Sequence, residues 1–305
     1  MPDGSSPPPL LLAGPTAVGK SEVALLLAGR LGGEIISVDS MQVYRGLDVG
    51  TAKPSAADRE RMPHHLIDVV ELSEPFDAAR FLELARRAVK EIQGRGRRPI
   101  LCGGTGLYFK AYLEGLGDSP PSAPALRAEL ERSPLPELLR ELEQRDPATF
   151  EQIDRQNPRR VVRALEVIRL TGRPFSSQRA AWPGDSPPGA VLGLRRSAAD
   201  SRARIDARVD RMFEQGLVRE TESLLGRGLA QNRTAMQAIG YRQVVEHLRG
   251  ARSLTDTIAE VKARTRQFAK RQMTWLRHQL PVRWIDVAPN ESAESVADRI
   301  EGLVG

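Results

Sequence analysis

An α/β fold, built as a parallel sheet flanked by helices and interrupted by an all-α insertion, is predicted by three observations. Short apolar runs alternate with helix-period segments from residue 10 to residue 117, the pattern of strands that run parallel beneath covering helices. The segment Gly14-Pro15-Thr16-Ala17-Val18-Gly19-Lys20-Ser21 fits G-x-x-x-x-G-K-[ST] between the first apolar run and the first helix, which makes the sheet P-loop NTPase-like. Two Pro-rich breaks, Asp118 to Ser122 and Trp182 to Gly189, enclose a stretch with helical patterns alone. The expected organisation is a disordered lead over 1–9, a catalytic core over 10–117 and 189–305, and a helical insertion over 118–188.

The elements follow in order. Leu10 to Ala13 reads as a strand closed by Gly14, and Lys20 to Leu31 as the helix after the Gly-rich turn. Glu34 to Val38 is a second strand ending at Asp39, and His65 to Val70 a third candidate. From Asp77 to Gln93, Phe81, Leu84, Ala88 and Ile92 recur on one helical face until Gly94-Arg95-Gly96. Pro99 to Cys102 makes a buried strand, closed by Gly103-Gly104-Thr105-Gly106 and followed by a helix over Leu107 to Leu116. After the insertion come a strand over Ala190 to Leu194 and helices over Arg202–Leu225, Thr234–Leu248 and Leu254–Leu280. The C-terminal part is therefore helical, with a last strand expected over Val282 to Val287.

Composition narrows the class. The 305 residues are 40% hydrophobic and 28% charged, enough to bury a core, and no apolar run reaches the ~20 residues of a membrane span. A single cysteine, Cys102, excludes a disulfide framework and a multi-cysteine zinc site. It points to a reducing, cytoplasmic setting. The Met1 to Pro9 stretch lacks the basic and apolar regions of a signal peptide. No zipper or long apolar stripe calls for a permanent oligomer, so a monomer is expected.

The Gly-rich loop carries a chemistry of its own. Its amides converge on a phosphate at the positive end of a helix. Lys20 adds a point charge and the Ser21 hydroxyl is suited to Mg²⁺. A small-molecule kinase is the usual reading of such a loop, but the only strand end supplying a nearby carboxylate is the one at Asp39, and no Arg-rich lid is evident. At the C-terminal end of its strand, where ligands of such sheets bind, Asp39 has three open readings: an Mg²⁺ ligand through water, a base on an acceptor, or the N-cap of a following helix.

Eight segments together resemble the tRNA dimethylallyltransferases. They are Gly14 to Ser21, Ile35-Ile36-Ser37-Val38-Asp39-Ser40-Met41-Gln42-Val43-Tyr44-Arg45, Gly50 to Pro54, Pro63 to Asp68, Gly103 to Tyr108, Asn157 to Val167, Gln237 to Arg242 and Lys270 to Leu276, in family order over about residues 10–285. The resemblance implies transfer of the dimethylallyl group of dimethylallyl diphosphate to N6 of the adenosine 3′ of the anticodon, position 37 of tRNA, releasing diphosphate. It implies a diphosphate cradle in the Gly-rich loop, with Mg²⁺ as cofactor at Ser21. Asp39 becomes the base, because an aromatic amine is a weak nucleophile until its proton is taken. Ser40, Met41 and Gln42 would hold the flipped adenine, Thr105 would contact the nucleotide and Arg242 the diphosphate. Some family members carry Arg where this chain has Gln237, so the diphosphate contact lies in the region of Gln237 or of Arg242.

The charge distribution acquires a meaning in that light. The net +6 resolves into neutrality over 1–109, −5 over 110–154, +6 over 155–179 and +10 over 195–283. By resemblance, Arg127 and the run Arg159-Arg160-Val161-Val162-Arg163 contact the tRNA anticodon stem-loop. Lys262, Arg266 and Lys270 recur every four residues as a second basic face, with Ile258, Val261, Phe268 and Trp275 turned inward. A cleft between insertion and core would grip the stem by its phosphates. The competing readings are prenyl transfer to free AMP, a small-molecule kinase, and a non-catalytic RNA-binding protein.

Overall fold

The computed structural model describes residues 7–117, 120–178 and 190–304. The Trp182 linker therefore lies outside the described residues, as does most of the lead. The chain divides into two compact units, 1–113 with 186–305, and 114–185.

In chain order the first unit contains β1 (Leu10–Ala13), α1 (Lys20–Arg30), β2 (Gly33–Val38), α2 (Ala56–Arg61), β3 (His64–His65), α3 (Ala78–Gly94), β4 (Arg98–Gly103) and α4 (Gly106–Glu114). The second contains α5 (Pro124–Arg132), α6 (Leu135–Arg145), α7 (Pro147–Gln152) and α8 (Pro158–Thr171). The chain then returns through β5 (Val191–Arg195), α9 (Ala198–Glu214), α10 (Leu217–Leu225), α11 (Tyr241–Leu248), α12 (Leu254–Gln279), β6 (Val282–Asp286) and α13 (Ala293–Val304).

The sheet has the order β3-β2-β4-β1-β5-β6, and every pairing is parallel. Alternation along each strand sends side chains to opposite faces. Leu10, Leu12, Ile35, Ile100, Cys102 and Leu192 pack on one side with Val23, Leu27 and Ile300 from α1 and α13. Leu11, Ile36, Val38 and Leu101 pack on the other with Phe81 and Ile92 of α3 and Leu276 of α12. Both faces are thus covered, and ligands have access at the strand ends, where β1, β2 and β4 stop at Ala13, Val38 and Gly103.

Glycine sets two of these ends. A β-carbon on Gly103 would fall 2.1 Å from the Val38 carbonyl oxygen, so β2 and β4 approach as they do only without a side chain there. Left-handed backbone also explains the departures from expectation. The third strand is only His64–His65, because Leu66 and Asp68 adopt φ of 62° and 56°, which no strand continues through. Val70 instead makes a single bridge to Tyr44. The helix expected over 202–225 breaks at Gly216, φ 98°, and the one over 234–248 begins only after Gly240, φ 107°. On α12, Val261 is buried as expected, whereas Phe268 is 38% exposed.

The second unit has its own core. Leu130, Leu138, Leu142, Val161, Val162, Leu165 and Ile168 from α5, α6 and α8 form one apolar cluster, so the basic helix α8 is held by its apolar stripe.

Candidate active site

The loop between β1 and α1 has its peptide groups fixed by two arginines. Arg204 Nε donates to the Ala17 carbonyl at 3.0 Å and Arg196 Nε to the Val18 carbonyl at 2.9 Å. In a trans peptide the N–H points opposite the C=O, so the amides of Val18 and Gly19 face away from those arginines. Among the described residues no backbone acceptor takes the amides of Ala17, Val18 or Gly19. Ala17 and Gly19 have φ of 63° and 105°, and Gly19 begins α1 with no side-chain cap. Successive amides turned to one side at a helix start form a concave anion site.

Cations line this concavity. Lys20 Nζ donates to the Pro15 carbonyl at 2.7 Å. Burial pulls its pKa down to about 8; Arg208 adds to the fall, while Cys102 and Asp39 oppose it. Arg208, on α9, is held below the ordinary arginine value by burial against the opposing charge of Asp39. Lys20, Arg208 and Asp39 thus lie near enough for their charges to act on one another. Cys102 is a buried thiol pushed up to about 11 by burial, too high for nucleophilic work. Ser21 stands exposed in the first turn of α1.

Asp39 opens the turn that follows β2. Its Oδ1 accepts the Met41 amide at 2.8 Å and the Gln42 amide at 3.3 Å, and no helix follows before α2. The carboxylate therefore organises a turn rather than a helix start. Thr105, at the end of β4, donates its amide to the Val38 carbonyl at 3.2 Å and accepts the Ser40 amide on Oγ1 at 3.2 Å. Gln42 is occupied internally: Oε1 accepts from Ser37 Oγ at 2.8 Å, and Nε2 donates to the Thr51 and Ala52 carbonyls at 3.2 and 3.3 Å.

A family model described as IPP transferase matches residues 42–279. The tRNA dimethylallyltransferase of Pelotomaculum thermopropionicum is 42% identical over 96% of this chain and 95% of its own length. The chain belongs to the IPP transferase family. The tRNA dimethylallyltransferase of Geobacter metallireducens is 46% identical, over 91% of this chain and 92% of its own. Among solved structures, the full-length tRNA isopentenylpyrophosphate transferase of Bacillus halodurans is 38% identical with a TM-score of 0.70, covering 98% of this chain and 97% of that one. A eukaryotic dimethylallyltransferase acting on tRNA matches at 27% identity and a TM-score of 0.78, over 97% of this chain and 80% of that one.

Within this IPP transferase the residues singled out from sequence separate into groups. The loop 14–21, Asp39, Ser40, Met41, Gln42 and Thr105 gather at the ends of β1, β2 and β4. Arg242 is exposed on α11 and pairs with Glu246 at 3.1 Å. Gln237 is exposed, with Nε2 on the Arg233 carbonyl. The guanidinium groups bonded to the loop are those of Arg196 and Arg204, after β5, and the charge of Arg208 on α9 acts on Lys20 and Asp39. The spacing Arg204 to Arg208 puts both on one face of α9, a signal readable in sequence. That β5 pairs with β1 was not.

In the second unit, Arg159 and Arg160 are exposed at the start of α8, and no acidic partner holds either among the described residues. Val161 and Val162 are 0% and 2% exposed, and their side chains fill the core of the second unit rather than its surface. Arg163 Nη1 binds Glu166 at 2.7 Å and Nη2 the Pro120 carbonyl at 2.6 Å, so it neutralises a buried carboxylate. Arg127 reaches Glu131 and the Ser122 hydroxyl, each at 3.4 Å. In the first unit, Lys262 and Arg266 are paired with Asp210 and Asp206 of α9 at 2.6 and 2.7 Å. The expected basic face is thus largely neutralised; Arg264 is exposed but paired with Glu260 at 2.7 Å, and the exposed α12 arginines and lysines without an acidic partner among the described residues are Lys270, Arg271 and Arg277.

Proposed function

We infer that this protein transfers the dimethylallyl group of dimethylallyl diphosphate to N6 of adenosine 37 in tRNA, releasing diphosphate. The observation that carries the reading is the pairing of an open anion cradle after β1, flanked by Lys20 and Arg208, with the Asp39 carboxylate at the end of β2, one strand beyond the intervening β4. Membership of the IPP transferase family supports the choice of donor.

The chain's own groups then divide the reaction. The amides of Ala17, Val18 and Gly19, with Lys20 and Arg208, take up the negative charge that grows on the diphosphate as the allylic C–O bond breaks. The lone pair of N6 forms the new C–N bond, and Asp39 takes the N6 proton. Thr105 and the Ser40 amide keep the Asp39 turn against β4. For Mg²⁺ the donor set fits: Ser21 presents an exposed hydroxyl at the end of the cradle, and this cation prefers few protein ligands together with phosphate oxygens and water. When bound there it supplies further charge neutralisation for the diphosphate. The tRNA anticodon stem-loop is the proposed partner of exposed Arg159 and Arg160. Among the described residues no helix is long and apolar enough to cross a membrane, and a cytoplasmic location fits a tRNA substrate.

The test is incubation with Mg²⁺, dimethylallyl diphosphate and either unmodified tRNA carrying an A-A-A run in its anticodon loop or AMP. The expected result is the added prenyl mass on tRNA alone. Product on AMP only, or ATP turnover without prenylation, overturns the reading.

A further inference from the structure

Gln272 of α12 holds the loop after β1 and the turn after β4 with one side-chain amide. Its Oε1 accepts the Thr16 amide at 2.9 Å, and its Nε2 donates to the Gly104 carbonyl at 2.9 Å. The Thr16 N–H and the Pro15 C=O belong to one peptide group, and that carbonyl receives Lys20 Nζ at 2.7 Å. The peptide is therefore pinned at both ends, and turning it would displace the lysine as well. At its other end the amide grips Gly104, next to Thr105, whose hydroxyl takes the Ser40 amide beside Asp39. The fit is close. A β-carbon on Gly104 would lie 2.3 Å from Gln272 Nε2, and one on Gly106 would lie 2.0 Å from Cε3 of Trp275, three residues further along α12.

A primary amide has an acceptor and a donor on one planar group. Glutamate at this position retains the acceptor for Thr16 and loses the donor to Gly104; methionine, of similar length, loses both. We propose that Gln272 is a positioning residue that sets the distance between the cradle where diphosphate leaves and the carboxylate that takes the amine proton. It touches no reacting atom. The proposal rests on the prenyl-transfer reading above, and the two fail separately.

The experiment compares Gln272→Met and Gln272→Glu with the unaltered protein, using Gln267→Ala, an exposed change on the same helix, as control. Prenyl transfer, inorganic diphosphate affinity, tRNA affinity and the melting temperature are measured on each. A misplacement of this kind costs about 100-fold in rate. Gln272→Met is expected to lose that much in kcat and to bind diphosphate more weakly, with tRNA affinity within about twofold and a cooperative melt retained. Gln272→Glu, with one of two bonds kept, should lose roughly tenfold; it serves alone if the methionine variant does not fold. Unchanged kcat and diphosphate affinity in a folded variant overturn the proposal, as does a kcat loss matched by an equal loss of tRNA affinity. If the unaltered protein makes no prenylated tRNA, the reaction reading falls, and diphosphate affinity still decides on Gln272.

Discussion

In Asp39 one carboxylate both organises a turn and acts by its charge on Lys20 and Arg208. Oδ1 is committed to the Met41 and Gln42 amides, and the other oxygen has no protein partner among the described residues. Substitution separates the two duties. Asp39→Asn keeps an acceptor for the turn and removes the base, so kcat is expected to fall about 10²- to 10⁴-fold with tRNA affinity retained. Asp39→Ala removes both, and tRNA affinity should fall too; steady-state kinetics and filter binding check the pair. Lys20 is a second case in which function opposes stability. Its folded pKa of about 8 lies below the ordinary 10.5, so the charged lysine costs stability at pH 7. Lys20→Met is expected to raise Tm at pH 7 while abolishing diphosphate binding. In the unaltered protein stability recovers between pH 8 and 10.5, where the unfolded chain binds the proton that the folded one has lost. The gain in the variant should therefore shrink over that window, as read by thermal melts at several pH values.

At the scale of elements, α8 shows how much of a basic motif serves its own unit. Arg163 lies across Glu166, which is 0% exposed. Although burial opposes it, the bonds from Arg163, Ser122 and the Ala123 amide hold the Glu166 carboxyl below its ordinary value. Removing one partner of a buried pair costs about 3 kcal/mol, so Arg163→Ala should lower the midpoint of urea unfolding. A depressed carboxyl contributes stability above pH 4.5 that is lost as pH falls through its folded value. The variant's loss on acidification should accordingly be shallower. The apolar stripe that buries Val161 and Val162 was present in the periodicity; a motif defined by its arginines concealed it. The bracing of the cradle by Arg196 and by Arg204 of α9 was hidden for another reason. Arg196 and Arg204 act across 178 and 187 residues of sequence, and only the pairing of β5 with β1 brings them there.

For the whole molecule the net charge of +6 is less informative than its pairing. Arg159→Ala with Arg160→Ala should reduce the salt slope of tRNA binding by about 1 to 2, because neither arginine has an acidic partner among the described residues. Lys262→Ala with Arg266→Ala should leave that slope nearly unchanged, since Asp210 and Asp206 already neutralise both; titrations at several salt concentrations measure each. The α/β class, the Gly-rich loop and the Asp39 strand end were legible in the chain's order of residues, since these are written in contiguous residues: apolar runs, a glycine spacing and a carboxylate at a run's end. That order also held the bounds of most elements to within a few residues, failing where left-handed backbone at Leu66, Asp68 and Gly216 ended them early and at Gly240 delayed a helix start. Which arginines meet the cradle, which basic residues are already paired, and that Gln272 spans two loops emerge only from the folded chain. Those outcomes depend on which strands become neighbours and on which charges meet across helices. Local propensity and periodicity do not encode either one.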